Sequence, residues 1–212
     1  IFVWFASGIG NLVVRARAGT GKTTTIIEAC KHAAHEGKIL LAAFNKRIAI
    51  ELSSRVAGLL NVEVKTLHSL GYRFILRYWT NAKVDKTGQV DRDRAVAVCG
   101  KNAPDDIVVM VQKLAGMLKN IAPLTYEIND VIDIARRFDC VPDEAWEEEG
   151  WTLEKVCRLA GRARDAAMDR DPAGRISFDD MIYIPLANNF TQRWFTMVVV
   201  DEAQDMNAAQ LL

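Results

Sequence analysis

The chain has 212 residues, half of them hydrophobic and a quarter charged, with 27 basic side chains balancing 27 acidic ones. That is the balance of a globular protein long enough to bury a real core in one or two domains. It excludes a protein coated in positive charge, while leaving room for a local nucleic-acid groove. Cys30, Cys99, Cys140 and Cys157 fall at long, irregular gaps. Free thiols in a reducing compartment are therefore expected, and neither a disulfide scaffold nor a zinc site. No apolar run approaches the roughly 20 residues that span a bilayer, and the apolar start lacks a basic leader. A cytoplasmic or nucleoid-associated location without membrane contact is the expectation. Both ends read as cut, because the chain starts at Ile1 and stops inside a helical pattern over residues 207–212.

In chain order, residues 1–7 read as the end of a helix closed by Gly8 and Gly10. The apolar run 12–16 predicts a buried strand. After a Gly-rich turn, a helix is expected over residues 23–36, stopped by Gly37. Residues 39–43 predict a second strand, 46–57 a helix, 63–66 a third strand and 67–78 another helix. Strand alternating with helix predicts an α/β unit with a parallel sheet. The pattern changes after the polar stretch 81–91. From residue 91 to 168 there is helical periodicity and no convincing strand. Ile107, Val108, Met110, Val111, Leu114, Ala115 and Leu118 form one apolar stripe, and Leu153, Val156, Cys157, Ala160, Ala163 and Ala167 another. Pro104, Pro123 and Pro142 mark helix boundaries. The acidic run 147–149 reads as a solvated face, and 169–175 as a loop. A helix over 178–187 precedes the β-branched run 197–200, which predicts a central buried strand. A parallel sheet built from residues 1–82 and 172–212 is thus interrupted by a helical insertion, residues 83–171.

Two segments carry chemistry. Ala16-Arg17-Ala18-Gly19-Thr20-Gly21-Lys22-Thr23, continued by Thr24, lies between an expected strand and a helix, the context of a phosphate-binding loop. Gly19 and Gly21 allow successive N–H groups to face phosphate oxygens, and the helix N-terminus adds partial positive charge. Lys22 is placed to reach the β- and γ-phosphates of ATP, and the Thr23 hydroxyl to ligate Mg²⁺. The second segment is Asp201-Glu202-Ala203-Gln204-Asp205, at the end of the apolar strand. Asp201 would hold Mg²⁺, and Glu202 would orient and activate the attacking water. The plainer alternatives are a Gly turn before a helix and an acidic helix cap; having both segments in one chain argues against each.

The pair A-G-T-G-K-T and D-E-A-Q-D resembles superfamily 1 DNA helicases of the UvrD/Rep type, and the resemblance extends over nearly the whole chain. Phe44-Asn45-Lys46-Arg47-Ile48-Ala49 is similar to the family's motif Ia, with its usual Thr missing. Thr66-Leu67-His68-Ser69 is similar to motif Ib. Ile176-Ser177-Phe178-Asp179-Asp180-Met181-Ile182 is similar to the D-F-D-D-L stretch, with Ser177 where Asp is common. The resemblance implies a RecA-like P-loop NTPase fold, with residues 1–82 and 172–212 as subdomain 1A and the insertion as subdomain 1B. It implies ATP and Mg²⁺ as cofactors, Gln204 as a further nucleotide-site residue, and single-stranded DNA or a single-strand/duplex junction as partner. It also implies 3′-to-5′ movement and a second motor domain, outside these residues, that supplies arginine fingers. The family's adenine-reading glutamine is expected just ahead of Ile1.

The DNA candidates have their own physical logic. Phe44 could stack on a base, and Asn45, Thr66, His68 and Ser69 could bond phosphates and sugars from loops at strand ends. Each has a plainer reading: Phe44 as core, Ser69 as a cap or turn residue, His68 as a satisfied half-buried histidine. His32 and His35 read as an exposed helix face. Other P-loop chemistries stay open at this point: a nucleotide kinase, a non-translocating ATPase, a binding module without turnover, or a helicase-like nuclease subunit.

Overall fold

A computed structural model describes residues 1–15, 17, 19–33, 37–125 and 127–212. The chain divides into two compact units, residues 1–70 with 192–206 and residues 71–191 with 207–212. The first holds a three-stranded parallel sheet of order β2-β1-β5, from Ile39–Ala43 (β1), Val62–Thr66 (β2) and Met197–Val200 (β5). All five residues of β1 are buried. A strand covered on both faces by parallel neighbours and helices must be apolar throughout, which is why ILLAA shows no alternation. Helices α1 (Phe2–Ser7), α2 (Lys22–Cys30) and α3 (Lys46–Arg55) belong to this unit. Phe5, Ile27, Cys30, Leu52 and Met197 pack with Ile39, Leu41 and Ala43 as its core. Gly8 closes α1 in the left-handed conformation, its N–H donating to the Trp4 carbonyl.

Three expectations fail in this unit. The run 197–200, expected as a central buried strand, lies at the edge of the described sheet with Met197 buried and Val198 52% exposed, because β1 is the strand with a neighbour on each side. Residues 12–15 form no strand and are exposed, while Ala16 lies outside the described residues. Apolar composition cannot distinguish a buried strand from a segment that runs along a cavity, and Leu12, Val13 and Val14 do the latter. The first long helix also ends early, at Cys30. There the ladder tightens to i→i−3 bonds, from Lys31 N to Glu28 O and His32 N to Ala29 O. His32 is exposed, as expected; His35 is among residues 34–36, outside the described set.

The second unit is mainly helical. It contains α5 (Gln89–Cys99), α6 (Asp105–Ile121), α7 (Ile128–Arg137), α8 (Glu144–Glu148), α9 (Leu153–Asp165), α10 (Asp180–Ala187) and α11 (Ala208–Leu211). Helix α4 (Leu67–Tyr78) begins in the first unit and continues into this one. Both predicted stripes face inward: Ile107, Val111, Leu114, Leu118, Val156 and Ala160 are among its fully buried residues. Among the described residues, 91–168 contain no strand. A two-residue parallel pair, Lys83–Val84 (β3) with Arg175–Ile176 (β4), brackets the helices; it is too short to leave a periodicity signal. The compact units part at 70/71, 191/192 and 206/207, whereas the expected boundaries are 82/83 and 171/172. Ile75, Ala82, Ala167, Ile176, Tyr183 and Ile184 share one core cluster, which draws the segments flanking the insertion into the helical unit.

The same unit buries an ionic network. Lys119 Nζ bonds Asp91 Oδ1 at 2.7 Å and Asp180 Oδ1 at 2.6 Å. Arg94 Nη1 bonds Asp180 Oδ2 at 2.6 Å and Asp91 Oδ1 at 3.0 Å. The Ser177 N–H adds a bond of 2.8 Å to Asp180 Oδ2. Burial pushes the Asp180 carboxyl up, but Lys119, Arg94 and these hydrogen bonds together hold it below the usual carboxylate range.

Candidate functional site

Parallel register brings the chemistry to one edge of the sheet. Ala42 pairs with Val200 and Ala43 with Thr66, so Phe44, Leu67 and Asp201 emerge together at the C-terminal ends of adjacent strands. That edge is where open α/β sheets bind ligands. The turn before α2 also delivers its residues here. Gly19 and Gly21 have φ of +78° and +79°, a conformation that disfavours side chains. Gly21 then caps α2, and its carbonyl accepts from the Thr25 N–H at 2.9 Å and hydroxyl at 3.0 Å. Thr20 closes the loop on itself by donating its hydroxyl to the Arg17 carbonyl at 2.8 Å. Ala16 and Ala18, the other two expected loop residues, lie outside the described residues.

Lys22 and Thr23, in the first turn of α2, meet the acidic strand end. The Thr23 hydroxyl donates to Asp201 Oδ2 at 3.2 Å, across 178 residues of sequence. Lys22 Nζ lies 3.8 Å from Glu202 Oε1. The Glu202 N–H donates to Asp201 Oδ1 at 3.1 Å, and the Gln204 amide donates to Glu202 Oε2. Lys22, Thr23, Asp201, Glu202 and Gln204 therefore converge. Thr24 does not join them: its hydroxyl accepts from Arg55 Nη2 at 2.9 Å, which ties α2 to α3. No sequence signal marks Arg55 for that contact.

A cavity of about 780 Å³ opens beside this cluster, with Thr20, Lys22 and Thr25 on one side and Asp201, Glu202 and Gln204 on another. Apart from Arg15, its remaining wall is apolar and includes Leu12, Val13 and Val199. Pockets that hold nucleotide-sized ligands fall in the range of about 300–1,000 Å³. Among the described residues, no cluster of three or more His, Cys, Asp or Glu is arranged to hold a metal unaided. A hydroxyl beside one carboxylate instead fits Mg²⁺, which keeps waters and takes phosphate oxygens to complete its shell.

The candidate DNA residues sit at the same edge. Phe44 is 50% exposed, which removes the core reading. Asn45 caps α3, its side-chain oxygen accepting from the Ile48 N–H at 2.9 Å. Thr66 and Ser69 make a reciprocal turn at the start of α4: Ser69 N–H donates to Thr66 Oγ1 at 3.1 Å, and Ser69 Oγ to the Thr66 carbonyl at 2.8 Å. Thr66 therefore supplies the cap on α4, and Ser69 is a turn residue in its first turn. His68 is half-buried. Asn45, Thr66 and Ser69 thus each have a local structural job beside any contact they make with a strand.

Comparison with known proteins agrees with this geometry. The family described as UvrD/REP helicase N-terminal domain matches residues 5–212. The chain is 25% identical, over 227 aligned positions, to the ATP-dependent DNA helicase PcrA of Bacillus subtilis (strain 168). That alignment takes in 96% of this chain and 28% of the relative. No helix among the described residues is long and apolar enough to cross a membrane.

Proposed function

The chain belongs to the UvrD/REP helicase family as its N-terminal ATPase domain, and from that membership we propose that it binds Mg²⁺-ATP and single-stranded DNA and couples hydrolysis to strand movement, in the 3′-to-5′ direction. The observation that carries the reading is the Thr23–Asp201 hydrogen bond, which unites the phosphate loop with the acidic strand end. Lys22 gives up its ion pair with Glu202 to neutralise the β- and γ-phosphates. Thr23 and Asp201 would hold Mg²⁺, which would supply neutralisation of phosphate charge. Glu202 orients a water and accepts its proton.

Phe44 stacks on a base, while Asn45, Thr66, His68 and Ser69 track the sugar-phosphate chain. Their position at the strand ends that also carry Asp201 favours communication between nucleotide and DNA. The helical insertion, residues 83–171, serves as subdomain 1B. Strand movement requires a second gripping domain, and a trans-acting arginine from it supplies about 10³–10⁵ in rate in comparable NTPases. The experiment is a steady-state ATPase assay on the full-length protein with and without single-stranded DNA. DNA should stimulate turnover, and Glu202→Gln should abolish it while leaving nucleotide binding intact. Wild-type turnover by Glu202→Gln would overturn the assignment of the base.

A further inference from the structure

We infer that Gln204 is a positioning residue for Glu202, fixing the orientation of that carboxylate, and is not a nucleotide contact. The inference rests on Glu202 being the group that activates water. Glu202 occupies the left-handed region, φ 54° and ψ 46°, which few non-glycine residues adopt without compensation. Two backbone bonds hold it there: its own N–H donates to Asp201 Oδ1 at 3.1 Å, and its carbonyl accepts from the Asp205 N–H at 2.9 Å. The single turn that follows, Ala203–Asp205, folds residue 204 back over residue 202.

The Gln204 amide then reaches Glu202 Oε2, while Lys22 faces Oε1 at 3.8 Å. The two carboxylate oxygens are thereby made different. Lys22 must leave Oε1 to meet phosphate, and Gln204 is the contact that persists when it does. Without it, the carboxylate turns freely about its last bond, and the oxygen that must face water is no longer fixed. A neutral amide suits this role, because it donates a hydrogen bond without adding a second cation to compete for the γ-phosphate. One of the two N–H donors of its amide is committed to Glu202.

The test uses the full-length protein saturated with single-stranded DNA, with kcat and KM for ATP measured beside the Kd of a fluorescent ATP analogue. Gln204→Met keeps length and removes the donor. It should lower kcat by about 10²-fold, the scale of a misplaced reacting group, while KM and Kd stay within about twofold of wild type. In the Glu202→Gln background, single-turnover rates should show no further loss on adding Gln204→Met. Weakened analogue binding with kcat unchanged would overturn the inference and return Gln204 to the nucleotide. So would an equal further loss in the Glu202→Gln background. If Glu202→Gln itself turned over at the wild-type rate, the water-activation reading would fall and this inference with it. A dead Glu202→Gln beside a fully active Gln204→Met would overturn this inference alone.

Discussion

Replacing Asp180 with Ala should destabilise the helical unit severely, and the network around it sets the size. Two cations, Lys119 at 2% and Arg94 at 9% exposed, face two carboxylates, Asp180 at 0% and the more open Asp91. Asp180 takes a bond from each cation and one from the Ser177 backbone. Asp180→Ala leaves both cations desolvated with Asp91 alone. Orphaning one member of a buried pair costs about 3–5 kcal/mol, a large share of the 5–15 kcal/mol or so that holds a domain together. Replacing Lys119 with Met and Asp180 with Leu together should cost less than either single change, because Arg94 and Asp91 remain paired and no charge is stranded. The pH dependence follows from the depressed Asp180 carboxyl. A group whose folded pKa lies below its unfolded value, about 3.9 for Asp, contributes stability that is fully present above that unfolded value. The contribution is lost as pH falls through the folded pKa. Wild-type stability should therefore decline below about pH 4, and Asp180→Ala should lose that part of the decline. Urea unfolding followed by tryptophan fluorescence at pH 7 and at acid pH reads both effects. A loss under about 1 kcal/mol at pH 7 would refute the buried ionic network.

Two further outcomes follow from contacts in each unit. An added Cβ at Gly71 would meet the Met181 carbonyl at 1.8 Å, whereas one at Gly116 meets nothing nearer than Asp179 Oδ2 at 3.7 Å. Thermal melts should accordingly show Gly71→Ala destabilised by about 1–3 kcal/mol and Gly116→Ala stabilised by up to about 1 kcal/mol; equal effects would contradict the close approach of α4 and α10. Asn45→Asp preserves the cap on α3 and adds negative charge at the strand end, so stability should hold while affinity for single-stranded DNA falls. Wild-type affinity for a fluorescent oligonucleotide would remove Asn45 from the DNA contacts.

The elements most legible in the sequence were those whose burial is extreme or whose ends are chemically marked. The fully buried apolar run of β1 and the glycine after α1 each admit one local solution, whereas β5 was legible as a strand but not as the edge strand it is, with only Met197 buried. Leu12, Val13 and Val14 are as apolar as β1 but have no ladder partner, and partnering is a tertiary fact that so short a run does not encode. The buried ions were illegible for a related reason. Lys119 lies on a helix whose other buried residues are apolar, and its partners come from α5 and α10. At the candidate site, Lys22, Thr23, Asp201 and Glu202 were legible because glycines, a lysine and strand-end acids in that order have few other uses. The link from Gln204 to Glu202 was not, since it depends on a left-handed Glu that no residue pattern announces.

Equilibrium binding of a fluorescent ATP analogue to this chain, titrated with and without Mg²⁺, tests the central claim most directly. Binding should require Mg²⁺, and Lys22→Ala should weaken it at least about tenfold, equal to about 1.4 kcal/mol. Mg²⁺-independent binding, or unchanged affinity in Lys22→Ala, would contradict a nucleotide site built from the α2 N-terminus and the end of β5.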